Sequence, residues 1–102
     1  TDLNQMRARS LLAEVHALIG FGQSALQLSE RVRTYFLSRQ TDDWELAFVH
    51  TIHAHAAFVA GDLVTYRDSY QDAIRALDAI ADDEDRKVVL QTFNQVPVPV
   101  AE

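Results

Sequence analysis

Between Asp43 and Ala60 the chain places apolar residues on nearly every face of one predicted helix: Trp44, Leu46, Ala47, Phe48, Val49, Ile52, Ala56, Ala57, Phe58 and Val59. A helix that is apolar all round must be covered on several sides. The rest of the chain therefore has to supply elements that surround it, and the many alanines let those neighbours come close. This single segment predicts a helical assembly built around a central third helix.

The flanking sequence supplies the other helices. Leu11, Leu12, Val15, Leu18 and Ile19 recur at helical spacing and predict a first helix from about Leu3 to Ile19. Gly20-Phe21-Gly22 stops it, because glycine enters left-handed conformations cheaply. A second helix follows to about Arg39, with Ala25, Leu28, Val32 and Phe36 as its apolar stripe. Asp42 with Glu45 three residues on has the form of a capping box for the third helix. Gly61-Asp62 ends that helix and caps a fourth, striped by Leu63, Tyr66, Tyr70, Ala73, Ile74, Leu77 and Ile80. Asp82-Asp83-Glu84-Asp85 suits the positive end of a fifth helix, whose apolar face is Val89, Leu90 and Phe93. Val96-Pro97-Val98-Pro99-Val100 cannot continue a helix and reads as an extended tail over 96–102. The expectation is an all-α fold: one domain over 1–95, five antiparallel helices joined by short loops, and no strand.

Composition narrows the function. The chain has 102 residues and a net charge of −6, which argues against a general nucleic-acid binder. Without cysteine there is no disulfide framework, thiolate metal site or cysteine nucleophile. No apolar run is long enough for a membrane span, and Thr1 to Arg9 lack a signal-peptide core, so the expected location is the cytoplasm. The sequence opens on Thr1 rather than methionine, which fits a segment of a longer protein.

The two helix pairs resemble each other. Gly20 and Gly61 lie 41 residues apart, and in that register Ala13 matches Ala54, Ala17 matches Phe58, Val32 matches Ala73 and Tyr35 matches Ala76. A period of this size reads as a helical-hairpin repeat. From Arg9 to Ile80 the chain resembles tetratricopeptide-repeat proteins. Leu12-Ala13, Gly20 and Ala25 fit that family's leucine, small residue, closing glycine and following alanine. In the second copy Ala54, Gly61 and Tyr70 fit, while His53 stands at the leucine position and Tyr66 at a small-residue position. Ser29 departs from the family's aromatic, and its terminal proline is missing from both copies. Asp43-Trp44-Glu45-Leu46-Ala47-Phe48, Val59-Ala60-Gly61-Asp62 and the segment from Ala79 to Arg86 also resemble a group of bacterial, mainly actinobacterial, repeat-like proteins. That likeness implies two tetratricopeptide-like hairpins closed by the fifth helix as a cap, and it implies no activity.

Two patterns mimic chemistry. Gly20-Phe21-Gly22-Gln23-Ser24-Ala25 has the form of a dinucleotide fingerprint, with Asp42 or Asp43 about 20 positions further on. The fingerprint requires a preceding strand, whereas helix precedes it here, so it reads as a turn between helices. His50 and His53 share a face one turn apart, and His16 on the first helix is a third imidazole. A metal site needs three or four convergent ligands, and neither a Glu-x-x-His nor a His-Glu-x-x-His pattern occurs. The simpler reading is partly buried, hydrogen-bonded imidazoles; at His53 this makes folding or assembly sensitive to pH. The acids from Asp82 to Asp85 lack the alternation and central glycine of a calcium loop. No cofactor and no catalytic set is expected.

The resemblance implies a concave, peptide-binding face lined by the first helix of each pair. Its outward positions are Arg7, Ser10, Glu14 and Ala17, and in the second copy Phe48, Thr51, His55 and Phe58. Phe48 and Phe58 are either anchors for a partner or packing for the fifth helix or a second subunit. The expected function is a non-catalytic protein–protein interaction scaffold or adaptor, as a monomer or homodimer, for a protein or peptide partner. The alternative is a small-ligand or metal-binding protein using His16, His50 and His53.

Overall fold

The computed structural model describes residues 1–100. Its helices are α1 (Asp2–Leu18), α2 (Gly22–Leu37), α3 (Asp43–Ala60), α4 (Leu63–Asp78) and α5 (Asp83–Phe93), and no strand occurs among the described residues. The all-α class and the five helices agree with the periodicity, and the bounds predicted for α1, for the end of α2 and for α3 lie within two residues of those observed. α3 is the longest helix and packs against each of the other four. Its residues from Val49 to Ala57 are all buried, as its uninterrupted apolar character requires.

The caps explain where the helices begin and end. Asp62 accepts a bond from the Thr65 N–H and opens α4, and Asp82 does the same for α5 with the Asp85 N–H. Glycine ends α1 and α3: Gly20 has φ 88° and Gly61 φ 81°, conformations an L side chain adopts only with strain. The two turns are bonded alike. Gly20 N–H reaches Ala17 O and Phe21 N–H reaches His16 O; 41 residues on, Gly61 N–H reaches Phe58 O and Asp62 N–H reaches Ala57 O. Gly22 serves a different purpose. A β-carbon there would lie 2.6 Å from the backbone of Ala60, so glycine lets the start of α2 press against the end of α3.

Two expectations need correction. The Asp42 side chain makes no capping bond, and the Glu45 side chain, the other half of the expected box, pairs with Arg7. The stripe Leu11, Leu12, Val15, Leu18 and Ile19 is not buried: these side chains are 45% to 61% exposed. α1 buries Ser10, Ala13, Glu14 and Ala17, since it lies so close to its neighbours that only small side chains and one paired carboxylate fit beneath it. The predicted tail begins by packing against the helices. Val96 is buried against Ala54, Ala57, Tyr66 and Tyr70, and the Tyr66 hydroxyl donates to Pro97 O. The last two residues of the predicted tail, Ala101 and Glu102, lie outside the described residues.

Candidate partner-binding groove

α1 and α5 both lean on α3, and among the described residues their backbones do not approach each other. The gap between them is a groove of about 410 Å³. Val49 of α3 and Val89 of α5 form its buried floor, and Phe36 of α2 closes it from below. Trp44 and Phe48 stand half-buried along α3 and pack on the cluster of Ala47, Leu77, Ile80 and Val89. Leu11 and Val88 face each other's helix from the two rims, both exposed.

Charge marks the ends. Arg7 donates from Nε to Glu45 Oε2 at 2.8 Å and from Nη2 to Glu45 Oε1 at 2.9 Å, a two-point fit of guanidinium to carboxylate. The same guanidinium lies 5.8 Å from the centre of the Trp44 ring. The hydrogen bond to Glu45 holds Arg7 still more firmly in its charged form. On the opposite rim the Asp85 carboxyl is pushed above its ordinary value by desolvation and by Asp82, Asp43 and Asp42. The groove thus has an apolar trough, one neutralised end and one end with surplus negative charge. Volumes of this order accommodate small ligands or a few side chains of a docked segment.

Of the predicted partner-binding residues, Arg7, Ser10 and Phe48 line this groove. Glu14, Thr51, His55 and Phe58 do not, and neither does Ala17. Thr51 is fully buried and donates to Ala47 O at 2.8 Å. Glu14 Oε1 accepts from His55 Nδ1 at 2.6 Å, both residues being buried. Phe58 packs against the Tyr66 ring, with centroids 5.1 Å apart. The prediction placed these positions outward; Glu14 and His55 are instead buried in the seam between α1 and α3, Ala17 and Thr51 are buried as well, and Phe58 stays exposed. Conversely, Leu11, Trp44, Asp85 and Val88 line the groove without having been singled out for it. Their one local signal was the apolar stripe containing Leu11, and helical periodicity assigned that stripe to the core.

No protein-family model matches the chain, and neither a curated protein nor a solved structure matches it. The site is therefore read from its own chemistry.

The imidazoles go to separate partners. His16 Nδ1 lies 2.9 Å from Ser24 Oγ, and His53 Nδ1 lies 2.7 Å from Ser69 Oγ. His50 stands near Arg33 and Asp72, and burial lowers its pKa. At His53 burial, with Arg33 and then His50 adding to it, lowers the pKa to about 4. Among the described residues no group of three or more His, Asp or Glu side chains is placed to hold a metal ion. The glycine motif at Gly20 follows a helix rather than a strand, the wrong setting for a dinucleotide. Among the described residues no helix is long and apolar enough to cross a membrane.

Proposed function

We propose that the protein is a non-catalytic, cytoplasmic interaction scaffold of tetratricopeptide-like type. Two helical hairpins and a capping helix bind a partner segment in the groove between α1 and α5. The observation that carries this reading is the groove itself: an apolar trough with Asp85 on its rim, where Asp82, Asp43 and Asp42 add negative charge beside that carboxyl. The twofold occurrence of one turn, bonded alike at Gly20 and Gly61, supports the repeat. The partner that fits is a short segment with two or three large apolar side chains and basic residues beside them.

Trp44 is the chain's single tryptophan and lies in the groove, so its fluorescence reports occupancy. The test titrates the protein with an amphipathic peptide of leucine and lysine and with its leucine–glutamate counterpart. The expected result is a saturable, salt-sensitive Trp44 change with the lysine peptide alone, lost in Val88→Asp. Equal response to both peptides, or undiminished binding by Val88→Asp, overturns the reading.

A further inference from the structure

From Ala8 to Phe21 every exposed residue of the chain is apolar or glycine: Ala8, Leu11, Leu12, Val15, Leu18, Ile19, Gly20 and Phe21. None of the net charge of −6 falls on this strip. It is the outer face of α1, turned away from the Ala13 and Ala17 that seat the helix on its neighbours. Monomeric proteins rarely leave so continuous an apolar face open to water.

The pattern of the strip says what covers it. Leu11-Leu12, Val15 and Leu18-Ile19 form a palindrome about Val15. When two such helices lie antiparallel with a two-fold axis through Val15, Leu11 meets Ile19 of the partner, Leu12 meets Leu18, and Val15 meets itself. A two-fold interface demands this self-complementarity, with every residue pairing with its counterpart's equivalent. The alternating steps of three and four residues also keep the side chains in one seam along the helix.

The area is sufficient. Leu11, Leu12, Val15, Leu18, Ile19 and Phe21 are each about half exposed. Together they open on the order of 600 Å² per chain, or about 1,200 Å² for two copies, the lower end of stable specific interfaces.

We infer that the occupant of this face is a second copy of the chain, docked α1 against α1 in antiparallel register about Val15. This interface adjoins the proposed peptide groove and shares Leu11 with it, while Val15, Leu18 and Ile19 do not line the groove.

Sedimentation velocity on the full chain, with two engineered sites, tests the inference. The wild-type 11.5 kDa chain should sediment as a dimer in the micromolar range. Val15→Asp sets two carboxylates against each other at the axis and should weaken association by roughly 100-fold, with the helical circular dichroism unchanged. Because the chain has no cysteine, a single introduced thiol reports alone. Val15→Cys should cross-link to itself under mild oxidation, far faster than Val64→Cys on the exposed surface of α4. A wild-type monomer throughout that range overturns the inference, as does a folded Val15→Asp dimer. Should Val15→Asp fail to fold, the cysteine pair decides: equal cross-linking at both positions overturns it.

Discussion

Glu14 Oε1 lies 2.6 Å from His55 Nδ1, and the two residues stand 41 positions apart, the separation that also relates Gly20 to Gly61. The pair closes the seam where α1 rests on α3. Residues related by that 41-residue offset meet there, and the match is polar although both side chains are buried.

Removing one member leaves the other buried and unpartnered. Glu14→Ala should cost about 2 kcal/mol in urea unfolding, since the imidazole loses its acceptor without water to replace it. Glu14→Gln retains an acceptor oxygen and should cost less. Combined with His55→Ala, the second substitution should add much less than it does alone, a coupling that a double-mutant cycle measures.

The glycines at the first turn should separate by mechanism. Gly22→Ala places a β-carbon 2.6 Å from the Ala60 backbone, where neither helix can yield easily, and should cost about 3 kcal/mol. Gly20→Ala meets open space but must hold φ near 88°, and should cost about 1 kcal/mol. Chemical denaturation of the two variants side by side gives the comparison.

His53 should make the fold sensitive to acid. Its pKa in the folded chain is near 4, below the ordinary 6.5, so the unfolded chain binds a proton first as pH falls. Stability from this group is intact above pH 6.5, declines between 6.5 and 4, and has fallen by about 3 kcal/mol once pH is below 4. Ser69, Arg33, His50, Asp62 and Asp72 surround the ring, and His50, also lowered, acts in the same direction. The apolar pair His53→Leu with Ser69→Ala should flatten this part of the stability–pH curve.

Tyr66→Phe removes the donor that holds Pro97 O to α4. The expected loss is about 1 kcal/mol, with the tail released before the helices melt. Amide exchange near Val96 should quicken while the centre of α3 stays protected.

Much of this architecture is local and so was readable from the chain. Gly20, Gly61, Asp62 and Asp82 stand at helix ends because backbone conformation and capping act within a few residues. The burial of α3 follows from apolar residues on all its faces. The orientation of α1 did not follow. Periodicity ranks a helix's faces by hydrophobicity, whereas the distance between α1 and α3 selected Ala13 and Ala17 by size and turned Leu11 and Val15 outward. The groove was hidden for the same reason. The pairs Arg7–Glu45 and Glu14–His55 join residues 38 and 41 positions apart, which no local pattern displays.

A helix shared by all four others also determines how the molecule comes apart. In a long repeat array each unit touches only its neighbours, so unfolding can begin at one end and stop partway. Here α1, α2, α4 and α5 each lose their supporting surface when α3 does. No pair of helices can survive the loss of α3 with its core intact. The chain should therefore melt in one cooperative step, with every spectroscopic probe reporting the same midpoint.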